Sequence, residues 1–227
     1  MRERVRGFLN AGSLVTAVFL GVCLVCVLEV QGKDKEKGIV ASLRDGKLER
    51  SEQNNWMQLG TGQEVLRGDR LRTDTTAVAI IEFPAVGRFV MGPSSHVELG
   101  KDPRDFRTKI ERGALWLQSS LPKGSKTSIT TSLATAGIRG TAFSMVFGEG
   151  EKLVCICTCS GDVEVSLKDG RTIRVAKGEY LAVPENEPAP VKAQTSLPLL
   201  EKRGTVFDFC FNCHSVGGKG TLKQGGK

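Results

Sequence analysis

Histidine is scarce: His96 and His214 are the two that the 227 residues contain. Imidazole is the side chain that titrates nearest neutral pH, so acid–base and metal chemistry have few groups to rest on. Ser94-Ser95-His96 sets hydroxyls beside an imidazole. Neighbours on a strand point to opposite faces, and neither an orienting acid nor an oxyanion element accompanies them. A hydrolase is thus unsupported, no small-molecule substrate is identified, and the chain reads as non-enzymatic. A sustained helical period is also lacking between residues 38 and 183, which excludes a helical bundle there. A basic stripe is lacking as well. Of the formal charge of +7, residues 1–10 carry net +2 and residues 201–227 net +3, leaving about +2 for the body. Nucleic-acid binders concentrate positive charge on a face of the folded domain, so nucleic acid is not an expected partner.

Arg2, Arg4 and Arg6 precede an uncharged run of 22 residues, Gly7 to Leu28. A bilayer takes about 20 residues to cross. The basic flank and the dense apolar stretch Leu14 to Leu28 fit a signal peptide equally. Val30-Gln31-Gly32 is a poor cleavage site, and Cys23 and Cys26 lack the small residue expected before a lipoprotein cysteine. Residues 1–32 therefore read as a signal peptide or a single-pass membrane anchor. Basic flanks stay inside, so the body belongs on the periplasmic side of a bacterial inner membrane, or free in the periplasm after cleavage. Disulfides can form in that compartment.

Residues 33–37, KDKEK, make a charged linker. From 38 to 183, short apolar runs alternate with Gly and Asp turns, which predicts an all-β domain, a sandwich or short solenoid of many short strands. At its centre, Ile138 to Phe147 and Leu153 to Thr158 read as two buried strands joined by the glycine-rich turn 148–151. Asp45-Gly46 predicts a hairpin between Ile39–Leu43 and Lys47–Glu49. Thr76–Phe83 and Arg88–Met91 read as a pair around Gly87, and Val97–Leu99, Thr108–Ile110 and Ala114–Leu117 as further strands. Trp56 and Trp116 are expected to anchor the core, and His96 to sit in an exposed turn.

The segment Val163 to Val175 fixes its own register. A two-residue turn at Asp169-Gly170 would put Val165 and Ile173 on opposite faces. A three-residue loop, Lys168-Asp169-Gly170, pairs Val165 with Ile173 and Val163 with Val175, making one face wholly apolar. The longer loop is therefore expected, with Gly170 left-handed.

Cys155, Cys157 and Cys159 alternate, so a strand would turn all three to one face. They read as core packing or, alternatively, as soft-metal or redox ligands, against which stands a same-face spacing of roughly 6–7 Å along a strand.

Past residue 183 the composition changes. Residues 184–198 open with the proline-rich PENEPAP and read as a linker to a C-terminal tail, residues 199–227. The tail holds Cys210-Phe211-Asn212-Cys213-His214, a C-x-x-C-H word. Two cysteines so spaced can form thioethers to one porphyrin, with His214 as the axial iron ligand of haem c. Thirteen residues follow His214, with no methionine or second histidine among them. A sixth ligand would then come from His96, Met57, Met91, Met145, another chain or water. A Cys210–Cys213 disulfide or free dithiol, or a truncated relic, stands as the alternative.

Several words in order resemble the FecR domain family: Trp56-x-x-Leu59-Gly60, Gly68-Asp69-Arg70-Leu71-Arg72-Thr73, Phe89-Val90-Met91-Gly92-Pro93-Ser94-Ser95, Arg112-Gly113-Ala114-Leu115-Trp116, GIRGTAF, TCSGDVEV and Gly178-Glu179. The resemblance runs from about residue 38 to 183. It places Arg139 and Thr141 on a family strand, in structural roles. It implies an extracytoplasmic β domain used in signalling, often passing on a transporter's ligand state. Family members of the anti-sigma kind carry a cytoplasmic segment before the membrane helix; about six residues precede the uncharged run here, so direct sigma-factor control is not expected. The expected function is a membrane-anchored periplasmic sensing or protein-binding module with an extracytoplasmic protein partner. The alternative is a small electron-transfer or haem-sensing protein that uses the β domain as scaffold. Flanks of the C-x-x-C-H word, Gly204-Thr205-Val206-Phe207 and Ser215-Val216-Gly217-Gly218, resemble the start of a class I cytochrome c.

Overall fold

The computed structural model describes residues 37–185 apart from 54, 123, 139, 140, 149 and 151. Period-two burial shapes the whole region. Val78–Phe83, for example, buries Ala79, Ile81 and Phe83 and leaves the alternate residues part-exposed, as a pleated strand on one core must. Sixteen strands follow in chain order: β1 (Lys37–Arg44), β2 (Leu48–Glu52), β3 (Asn55–Leu59), β4 (Glu64–Leu66), β5 (Arg70–Thr73), β6 (Val78–Phe83), β7 (Gly87–Met91), β8 (His96–Glu98), β9 (Asp105–Ser119), β10 (Lys126–Thr130), β11 (Ala134–Ile138), β12 (Ala142–Gly148), β13 (Leu153–Ser160), β14 (Asp162–Leu167), β15 (Thr172–Ala176) and β16 (Tyr180–Pro184). No helix occurs among the described residues.

Hydrogen bonding joins all of them, but β9 folds the ladder into two layers. Sheet I runs β4-β1-β6-β7-β9-β12-β13-β16. Sheet II runs β3-β2-β5-β8-β9-β10-β11-β14-β15. Among the described strands, β9–β10 alone pair in parallel. The layers pack face to face around one core. Phe83 and Phe89 of sheet I meet Phe106 of sheet II with ring centroids 5.7 Å from it, and lie edge-on to each other at 6.1 Å. Each fully buried side chain of this size stabilises the fold by about 1.5–3 kcal/mol.

The joint between layers is built from small residues. The first half of β9 pairs with β8 and β10, the second with β7 and β12. Between them Gly113 takes φ +92°, and a Cβ there would collide with Cα, Cβ and Oγ of Ser95. Ser95 is wholly buried. Its hydroxyl donates to Gly92 O at 2.8 Å and accepts from Ala114 N at 2.9 Å. Thr73 Oγ1 accepts from Ser95 N at 2.9 Å and donates to Gly92 O at 2.6 Å.

The expected β architecture is present, as a two-layer sandwich. The three-residue loop is present too: Val163 pairs with Val175 and Val165 with Ile173, with Gly170 at φ +86°. The β6–β7 and β12–β13 pairs also form as read. Three readings are corrected. Asp45-Gly46 is not a hairpin turn, because β1 lies in sheet I and β2 in sheet II. It is a corner held by Asp74, whose carboxylate accepts from Lys47 N at 2.8 Å, Thr76 N at 3.0 Å and Ala77 N at 2.9 Å. Ile138 to Phe147 is not one strand: β11 ends in sheet II and β12 begins in sheet I. Thr108–Ile110 and Ala114–Leu117 are one strand, since Gly113 bends the backbone without ending the ladder. The N-terminal segment and the C-terminal tail lie outside the described residues.

Gly113→Ala should therefore destabilise the domain by about 2–4 kcal/mol, combining positive φ with a backbone collision. Gly124→Ala, at φ +87° in open space, should cost about 1–2 kcal/mol. Thermal unfolding followed by circular dichroism checks the difference between the two variants.

Candidate functional site

The outer surface of sheet II carries an open trough of ≈ 960 Å³ over β9, β10, β11 and β14. Its origin is side-chain size. Ser128 faces Gly137 across β10–β11, and Thr130 faces Thr135. Arg107 and Glu164 flank the first pair from β9 and β14. Short residues make the floor and long charged ones the rims. Two rim carboxylates are engaged: Asp105 accepts from Arg107 Nε at 2.8 Å, and Asp162 from Arg174 Nε at 3.0 Å and Nη2 at 2.7 Å. Those guanidinium bonds hold both carboxyls below the usual range. At one end Thr141 is buried and its hydroxyl makes no hydrogen bond. The trough offers the hydroxyls of Ser128, Thr130 and Thr135 to a ligand rather than a reactive pair.

A second cluster lies on the same layer. Gln58, Glu49, Arg72, His96 and Arg112 are successive cross-strand partners. The Arg72 guanidinium sits 4.2 Å over the Trp56 ring and donates to Glu49 at 2.6 Å. The Trp56 and His96 rings are 5.9 Å apart. Arg112 Nη2 lies 2.9 Å from His96 Nε2; arginine can only donate, so Nε2 accepts and the imidazole is neutral. Burial, then the Arg112 charge, push His96 below its ordinary value of 6.5. His96 is thus a strand residue in a packed cluster, not an exposed turn residue. Trp56 is on an outer surface, not in the core.

Ser95 and His96 do not form a catalytic pair, since the serine is committed to the inter-layer joint and the imidazole to Arg112. Burial raises the Asp69 carboxyl, but its task is local: it accepts from Leu66 N at 2.7 Å and closes the turn that Gly68, at φ +80°, makes possible.

Cys155 and Cys157 of β13 share a face, with Cys155 Sγ 3.7 Å from Cys157 Sγ, while Cys159 sits at a register shift of β12–β13. The 6–7 Å separation applies to the backbone; the side chains converge. They are buried, but on the outer face of sheet I, alongside Trp116, which is only part-buried there. Trp116, only part-buried, is not a core anchor. Cys210, Cys213 and His214 lie outside the described residues. Among the proposed sixth ligands, Met91 and Met145 are wholly buried between the sheets, while His96 and Met57 are at the surface. The trough floor was not foreseen; its signal was the alternation of small polar residues in KTSIT and ATAGI, which has meaning only once β10 and β11 are neighbours.

Residues 69–164 match the family model described as FecR protein, a span that begins just before β5, ends in β14 and contains every residue lining the trough. No curated protein matches the chain. Two solved structures are similar, both provisionally described as an anti-sigma factor from Parabacteroides distasonis. One is 14% identical over 52% of this chain and 55% of that one, with a TM-score of 0.46. The other is 15% identical over 49% and 53%, with a TM-score of 0.44. The chain spans about half the length of each.

The depressed His96 pKa has a testable sign. The folded imidazole binds a proton less readily than the unfolded one, so its contribution to stability is whole above pH ~6.5 and is lost as pH falls below it toward the folded pKa. Wild-type Tm should fall between pH 7 and 5.5, and His96→Gln should flatten that slope. An NMR titration, assigned with the same variant, should place the His96 midpoint below 6.5.

Proposed function

We propose that this protein is a FecR-type sensing or protein-binding module, non-enzymatic, held on the outer side of a membrane by its N-terminal segment. The observation that carries this reading is the hydroxyl-floored trough inside the family-matched segment. An acid–base reaction needs groups poised to exchange protons; this surface presents paired rim charges around Ser128, Thr130, Thr135 and Gly137. Such a surface suits an extended chain laid across the strands, bonded through its backbone and held in register by the rims. The partner is accordingly an extracytoplasmic protein segment. Paired charges at Asp105 and Asp162 favour register over raw affinity.

Chemical crosslinking on membranes from cells that make the full chain, followed by affinity capture, should recover a specific protein. Ser128→Arg together with Thr135→Arg fills the floor from the solvent side. It should abolish the crosslink while leaving Tm within a few degrees of wild type. Recovery of the same protein by the filled-trough variant would count against the trough, and recovery of none by wild type against the function.

A further inference from the structure

Gly137 lies inside β11, on the trough floor, and the fold does not call for a glycine there. Its register is unbroken against Ser128 of β10 and Glu164 of β14, so no bulge surrounds it. Its φ is not left-handed. A Cβ at this position would meet one heavy atom within 4 Å, Glu164 O at 3.8 Å, an ordinary van der Waals contact. Glycine inside a strand weakens the strand. Where no bulge or bend accounts for it, it marks a place where another backbone comes close. The side of Gly137 open to such an approach is the trough.

The walls beside it differ in sign. On the β9–β10 side Arg107 is matched by Asp105, and Lys126, opposite Asp105, is in excess. On the β14 side Asp162 is matched by Arg174, and Glu164 is in excess. Neither Lys126 nor Glu164 forms an ion pair among the described residues. The positive end, on β9 and β10, lies two to three strands from β14, or about 10–14 Å. In an extended chain, residues four apart share a face and stand about 13 Å from each other.

We propose that the segment seated in the trough belongs to another protein, passes its backbone over Gly137, and carries a carboxylate and a cation four residues apart, in either order. The carboxylate lies at Lys126 and the cation at Glu164. This rests on the trough being the protein-binding surface. Charge complementarity selects the chemistry: a segment of one sign would be repelled at one wall, and like charges brought together across an interface are strongly penalised. The hydroxyls of Ser128, Thr130 and Thr135 are left to bond the segment's backbone.

The test is carbodiimide coupling on membranes from cells that make the full chain, followed by peptide mass spectrometry. The reagent joins a lysine ammonium directly to a carboxylate in contact with it. The expected product is a bridge from Lys126 to an aspartate or glutamate of another protein, with a lysine or arginine four residues away from it. Glu164→Lys, at an exposed position, should lower the yield of that bridge about tenfold and leave Tm unchanged. Gly137→Val should lower it as much, with a Tm equal to or above that of wild type. A bridge from Lys126 confined to this chain, a bridged segment without the basic residue, an undiminished yield in either variant, or a lowered Tm in Gly137→Val would overturn the proposal. Capture of a protein by an amine-reactive crosslinker with no bridge at Lys126 overturns this chemistry and leaves the binding function standing. Capture of none by either reagent overturns both.

Discussion

One close approach governs this architecture: Ser95 against Gly113, where a single methyl would not fit. β9 supplies a strand to both layers, so it must change sheets without breaking its ladder. Only a residue free of Cβ can do so against a buried serine. The serine hydroxyl then bonds Gly92 and Ala114, the residues on either side of the crossing. A buried hydroxyl left without partners would cost about 1–3 kcal/mol, so geometry and hydrogen bonding enforce each other. By contrast the surface ion pairs, such as Lys37–Glu64 and Arg88–Glu82, each contribute about 0–1 kcal/mol and follow the fold rather than set it.

The words that carry the FecR resemblance sit at joints. Gly68-Asp69 closes the turn into β5. Gly92-Pro93-Ser94-Ser95 builds the clamp, and Arg112-Gly113 is its other half. Gly161 stands where a Cβ would press on the Thr141 methyl. These residues determine how the two sheets meet. Ser128, Thr130 and Thr135 of the trough floor lie outside these words.

That division explains what was legible in the sequence. Period-two burial identified strands, and the loop at Lys168-Asp169-Gly170 followed because one register alone makes an apolar face. Layer assignment was not legible. Asp45-Gly46 has hairpin chemistry, but Asp74, distant in sequence, captures Lys47 and turns the chain into the other sheet. Trp56 and Trp116 have core composition, yet Arg72 stacking and an outer-face position give them other surroundings. The Cys155–Cys157 sulfur distance depends on rotamers that spacing along a strand does not reveal.

The parallel β9–β10 pair has a kinetic consequence. After the first half of β9 the chain must complete its second half in sheet I before β10 can return beside its start, residues 126–130 against 105–109. No hairpin can form this contact. Pairings that wait on distant chain segments are slow, because loop-closure entropy is lost before the contact is gained. The trough floor, which needs β10 in place, is therefore a late product of folding. A nascent chain with half a sandwich exposes its apolar strands before the trough exists.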